Sequence, residues 1–174
     1  MTENFEANLP EAIEMVIGRF ISNFSLLEEW IKEIILDAAD INLRAGDIIL
    51  SEIPFRGLLN ACGAIIHEYS DNLELCNEAD KLMVKIDHMN DFRNQIVHSV
   101  LFGDIDRTQG FRIKTKAHRK KGAQITSQEL KREDLLEKCV ELAQLINEVK
   151  QIGDKIYTEQ SVALDSGQKS ARTE

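Results

Sequence analysis

The chain reads as all-α, a four- to five-helix up-and-down bundle with a small β-hairpin insert before the last long helix. Three observations predict this. Apolar residues recur every three or four positions over four long stretches, prolines are confined to positions 10 and 54, and one glycine-bearing segment, about 99–125, shifts to a period of two. With 174 residues, 43% hydrophobic and 6% aromatic, the chain can bury one core, expected to span 1–157 as a single domain.

The first stretch carries Ile13, Ile17, Phe20, Phe24, Leu27, Ile31, Ile34 and Ala38 on one helical face, from Glu11 to about Ala39. Pro10 suits its first turn, where a missing amide hydrogen costs nothing. A polar break with Asn42, Gly46 and Asp47 follows. Pro54 then opens a second helix, roughly 54–69, with Phe55, Leu58, Leu59, Cys62, Ile65, Ile66 and Tyr69 as its apolar positions. A third helix is expected from about Leu73 to His98, with no proline or glycine to interrupt it.

Between Gly103 and Gly122, Phe111, Ile113 and Thr115 alternate with Arg112, Lys114 and Lys116, the period of a strand with one basic face. Thr126-Ser127-Gln128-Glu129 matches a capping box flanked by Ile125 and Leu130 as a hydrophobic staple, which predicts a last helix from about 127 to Tyr157. The tail 158–174 is polar and is expected to stay disordered.

Composition narrows the function. No apolar run approaches the roughly 20 residues that span a bilayer, and the first residues lack the basic start and apolar core of a signal peptide, so the expected location is the cytoplasm, with no membrane partner. Cys62, Cys76 and Cys139 show neither Cys-x-x-Cys spacing nor signs of export, which points to buried thiols rather than disulfides or zinc. A net charge of −9 opposes broad nucleic-acid binding. Yet Arg112, Lys114, Lys116, Arg119, Lys120 and Lys121 place six cations and no acid within residues 112–121, leaving −15 on the remaining 164 residues. That local patch is a candidate polyanion site.

The candidate chemistry lies in Asp91-Phe92-Arg93-Asn94-Gln95-Ile96-Val97-His98. Arginine offers a permanent forked cation suited to phosphate, and histidine is the side chain whose ordinary titration lies nearest neutrality. On a wheel of about 100° per residue, Arg93 falls inside the apolar stripe of Leu82, Ile86, Met89, Ile96 and Val100, and His98 points about 140° away. An arginine there is expected to be buried and unpaired in a monomer, so it calls for an anion, a carboxylate or a second subunit. Asn94 lies four residues before His98, within reach of the imidazole.

Arg93-Asn94-x-x-x-His98 resembles the Arg-x4–6-His motif of the HEPN superfamily, and the order of long helix, second helix, motif helix, variable insert and final helix is similar over about 150 residues. The resemblance implies a homodimer whose two motifs face one cleft and cut single-stranded RNA without a cofactor or metal. It implies Arg93 as phosphate holder, His98 as proton carrier and Asn94 as an orienting group, with 2′,3′-cyclic phosphate and 5′-hydroxyl ends. A role in defence or stress response, and a regulatory or antitoxin protein as partner, belong to the same implication. One departure stands out: the toxin branch paired with a nucleotidyltransferase has tyrosine two residues after the histidine, where this chain has Val100. Members without nuclease activity also exist, so a silent RNA-binding or protein-interaction module is the alternative.

Plainer roles compete at each position. Arg93 can pair with Asp91, and His98 can satisfy carbonyls at a helix end. Lysines on an edge strand discourage aggregation. His67, His88 and His118 read as surface or packing histidines. Asp87, Asp91 and His98 share one side as weak metal candidates, because ligands from one helix seldom converge. Glu28 and Glu29 read as a solvated face, Trp30 as a core anchor, although a first-helix carboxylate can also be imagined reaching Arg93.

Overall fold

The computed structural model describes residues 9–104, 106–118 and 122–165. These residues are mostly helical and include a small antiparallel sheet. The elements run α1 (Glu11–Ala38), α2 (Leu43–Leu50), α3 (Phe55–Tyr69), α4 (Leu73–Val97), β1 (Val100–Gly103), β2 (Gly110–His118), β3 (Gly122–Leu130) and α5 (Arg132–Asp165). The chain falls into two compact units, one within Met1–Phe24 and Met89–Ala143, the other within Ser25–His88 and Gln144–Glu174.

In the first unit, α1 contributes Ile13, Val16, Phe20 and Phe24 to the core, α4 contributes Met89 and Ile96, and α5 contributes Leu135, Cys139 and Leu142. Phe20 meets Phe92 edge to face, with centroids 5.3 Å apart at 84°, an arrangement that aligns ring edge with ring face. The strands form one sheet in the order β1-β2-β3. Gly110 anchors its base: a Cβ there would stand 2.8 Å from Ile13 Cδ1 and 3.2 Å from Leu9 Cδ2. Only the absence of a side chain lets the strand approach α1 so closely.

In the second unit, Leu27, Ile31 and Ile35 of α1 are buried together with Leu58, Cys62 and Ile66 of α3, Leu82 and Ile86 of α4, and Val149, Ile152 and Ile156 of α5. α1 ends with Asp40 in the left-handed region, φ 52°, and Ile41 N bonds Leu36 O at 2.9 Å. This closes the orphan carbonyls of the last turn.

Three expectations are corrected. The polar break after α1 contains α2, whose N-cap Asn42 accepts from Arg44 N at 3.1 Å and Ala45 N at 3.4 Å; Gly46, at mid-helix, hid it from a propensity reading. The hairpin insert is a three-stranded sheet, and Thr126–Glu129 lies in β3 rather than capping a helix. Thr126 Oγ1 donates to Lys114 O at 3.3 Å. A capping box contributes about 1 kcal/mol locally, whereas pairing all nine residues of β3 with β2 satisfies a whole backbone ladder. Finally, α5 does not stop at Tyr157. It continues through Asp165 because its later residues have partners: Glu159 accepts from Ser70 Oγ at 2.7 Å and Asn72 Nδ2 at 2.9 Å, and Gln160 Nε2 donates to Ala38 O at 2.9 Å. The tail beyond 165 lies outside the described residues.

Candidate functional site

α4 ends between the arginine and the histidine of the motif. His98 N still bonds Asn94 O in the helical register at 3.1 Å, and the chain then tightens as Ser99 N bonds Ile96 O at 3.4 Å. Ser99 Oγ also donates to Gln95 O, so backbone and hydroxyl together occupy carbonyls that the helix leaves open. β1 begins immediately afterwards at Val100, which therefore leaves the helical stripe and is 67% exposed. His98 lies on the exposed turn between helix and strand.

Arg93 departs from its expected setting. It is half-buried rather than buried and unpaired: Nη1 donates to Asn94 Oδ1 at 3.1 Å, and the guanidinium lies 5.7 Å from the centroid of the Phe24 ring. The aromatic face takes one side of the planar cation while the fork stays polar. Asn94 accordingly holds Arg93 with its side-chain oxygen; its bond to His98 is through the backbone.

The basic strand has the predicted alternation. Arg112, Lys114 and Lys116 of β2 lie opposite Gln128, Thr126 and Gln124 of β3, and directly opposed residues share a face of a sheet. Arg112 Nη1 donates to Gln95 Oε1 at 2.7 Å, Nε donates to Gln128 Oε1 at 3.1 Å, and Nη2 reaches the same oxygen. Gln95 stands between Arg93 and His98 in the motif, so this bond ties the basic strand to the end of α4. A groove of about 600 Å³ follows, lined by Gln95, Arg112, Lys114, Gln124, Thr126 and Gln128. Arg119, Lys120 and Lys121 lie outside the described residues, and Lys116 is described by its backbone alone.

Edge protection accounts for only part of this strand. Arg112 is paired on both sides, with Leu101 of β1 and Gln128 of β3. From Lys114 onward β2 runs past the end of β1, and there lysine does stand on a half-open edge. The other candidates have partners that remove them from the site. Arg56 Nε and Nη2 grip the two Asp87 oxygens at 2.9 and 3.0 Å, so that carboxylate is engaged as a bidentate ion pair. His67 Nε2 lies 3.0 Å from Asp80 Oδ1. Glu28 and Glu29 pair with Lys32 at 3.4 and 2.8 Å; its hydrogen bond to Glu29, then the charges of both carboxylates, raise its pKa against the opposing effect of burial. No group of three or more metal-ligating side chains occurs among the described residues.

All three cysteines are buried free thiols, and desolvation pushes Cys62 up to about 12, far from nucleophilic use at neutral pH. In the β1–β2 turn, Asp104 accepts from Gln109 N at 2.9 Å and from Thr108 N and Oγ1, both at 2.6 Å. The Gln109 amide, then the Thr108 hydroxyl, hold its carboxyl below the usual range.

Gln95, Gln128 and Phe24 were missed as supports of the cations. For the glutamines a signal existed in retrospect of the pairing alone: Gln128 faces Arg112 only in this register. Comparisons with protein-family models, curated proteins and solved structures found no match.

Proposed function

We propose that this chain is a metal-independent endoribonuclease of the HEPN type, an up-and-down helical bundle whose homodimer forms a composite site on single-stranded RNA. The observation that carries the reading is the Arg112–Gln95 bond, 2.7 Å, which sets a basic groove beside the last turns of α4, with Arg93 and Asn94, and the turn after it, with His98. Lys114 and the arginine neutralise backbone phosphates flanking the cut. Arg93, held by Asn94, binds the phosphate that reacts and stabilises the charge growing on its oxygens.

In the cleavage step the ribose 2′-oxygen forms a bond to phosphorus as the bond from phosphorus to the 5′-oxygen breaks. One imidazole takes the 2′-hydroxyl proton and another protonates the leaving oxygen; two copies of His98 in one cleft supply both. The products are a 2′,3′-cyclic phosphate and a 5′-hydroxyl. A defence or stress-response setting, with a protein regulator, goes with this reading.

A second reading, a catalytically silent HEPN-like RNA-binding or protein-interaction module, is favoured by the engagement of Arg93 with Asn94 and Phe24. The two part on labelled single-stranded RNA in EDTA. Cyclic-phosphate ends that disappear in His98→Ala and Arg93→Ala, with helical content unchanged, support the nuclease. Intact RNA, or cleavage indifferent to His98→Ala, overturns it; tight binding without cutting selects the silent module.

A further inference from the structure

The two glutamines that flank Arg112 fix the polarity of one end of the groove. A guanidinium has N–H donors and no acceptor, so Gln95 and Gln128 must each turn the carboxamide oxygen toward it. Gln95 Oε1 accepts from Nη1 at 2.7 Å, and Gln128 Oε1 accepts from Nε at 3.1 Å and from Nη2. The amino groups are thereby turned away from the arginine, and neither Nε2 has a partner among the described residues. Both side chains line the groove, Gln128 exposed and Gln95 half-buried. Gln95 is held at its backbone as well, since its carbonyl accepts from Ser99 Oγ. Arg112 keeps one unspent N–H on Nη1 and one on Nη2, and Lys114 comes next along the same face. The side chains at the Arg112 end therefore offer donors alone. Acceptors begin with Thr126, whose hydroxyl donates to Lys114 O and keeps its lone pairs, two residues or about 7 Å from Gln128 along β3.

A surface that only donates selects against bases that donate. On their outer edges guanine shows two acceptors, O6 and N7, and uracil shows one, O4; adenine pairs the N7 acceptor with an amino group, and cytosine shows an amino group alone. A donor set against an amino group leaves both unpaired, which costs more than an ordinary hydrogen bond contributes. We propose that the Arg112 end of the groove is a base subsite that selects guanine, with the Gln95 and Gln128 amino groups donating to O6 and N7. Phosphates go to the cations, because their binding draws on counterion release. A neutral amide adds nothing to that release and is suited to a neutral carbonyl or ring nitrogen. Gln95 lies between Arg93 and His98 in the chain, so the selected base sits beside the reacting phosphate. The preference in cutting rests on the nuclease reading; the preference in binding requires only that RNA enters the groove.

Fluorescence anisotropy with 2′-O-methyl oligonucleotides, which lack the attacking hydroxyl and stay intact, measures selection apart from cutting. Each is a short cytidine strand with one variable central base. The full chain should bind the guanine strand about tenfold more tightly than the adenine or cytosine strand, with uracil between. Inosine, which keeps O6 and N7, should match guanine, and 7-deazaguanine, which lacks the N7 acceptor, should fall toward adenine. Gln128→Glu keeps an oxygen for Arg112 and replaces the amino group with an acceptor. It should weaken binding to every strand and bring the guanine-to-adenine ratio down severalfold, whereas Gln144→Glu, on an exposed part of α5, should leave the ratio alone. Equal affinity for the four bases, no binding to any of them, or a ratio unchanged by Gln128→Glu overturns the proposal. Guanine selection by a chain that never cuts the matching ribose strands removes the nuclease reading and keeps this one; cutting without preference for guanine does the reverse.

Discussion

Replacing Gln95 with glutamate separates the structural from the functional role of the groove, because the two should move in opposite directions. The carboxylate would stand where Gln95 Oε1 now accepts from Arg112 Nη1 at 2.7 Å, converting a neutral acceptor into an ion pair. On a partly solvated surface that change stabilises by about 0.2–1 kcal/mol. The same charge, placed about 4 Å from a phosphate resting on Arg112, opposes binding by about 1 kcal/mol in water, or roughly fivefold. It also cancels about one cation, so the slope of log affinity against log salt should shrink by about 0.7. Urea unfolding measures the first effect and fluorescence anisotropy with a labelled single-stranded RNA, titrated at several salt concentrations, measures the second. Gln144→Glu, on an exposed part of α5, is the control for net charge alone. If Gln95→Glu binds RNA with the affinity and salt slope of wild type, the groove is not on the path of the strand.

Two glycines should respond to alanine with opposite signs. A Cβ at Gly46 would lie 1.9 Å from Leu36 Cδ2, whereas nothing stands within 4 Å of one at Gly18. Gly46→Ala should therefore lose about 1–3 kcal/mol to overpacking against the buried Leu36, and Gly18→Ala should gain about 0.5–1 kcal/mol, both read by urea denaturation. The β1–β2 turn should loosen in acid. Asp104 titrates lower when folded than when unfolded, so its contribution is whole above the ordinary carboxylate pKa and fades as pH falls through the depressed one. The protection factors of the Thr108 and Gln109 amides, taken against the intrinsic exchange rate at each pH, should fall over that window, and Asp104→Asn should remove the dependence.

Periodicity made much of the molecule legible. α1, α3 and α4 begin and end within a residue or so of the positions their apolar spacing marks, because a helix needs one buried stripe and the spacing of that stripe is written locally. The alternation of Phe111, Ile113 and Thr115 with Arg112, Lys114 and Lys116 likewise marked β2 and its basic face. Where the reading failed, a distant partner outweighed a local motif. Thr126–Glu129 is a sound capping box that nine residues of β2 drew into a ladder. The polar turn Thr158–Asp165 stays helical, and Ser70, Asn72 and Ala38 hold Glu159 and Gln160 within it.

The candidate site divides in the same way. The sequence by itself determined which residues carry chemistry: an arginine and a histidine five positions apart at the end of a helix, and a run of alternating cations soon after. Only the tertiary structure decided what each one touches. Phe24, about seventy residues earlier, takes the face of Arg93, and Gln95 and Gln128 take the fork of Arg112. Side-chain hydrogen bonds and cation–π contacts depend on register and distance in space, quantities that periodicity along a single chain does not contain.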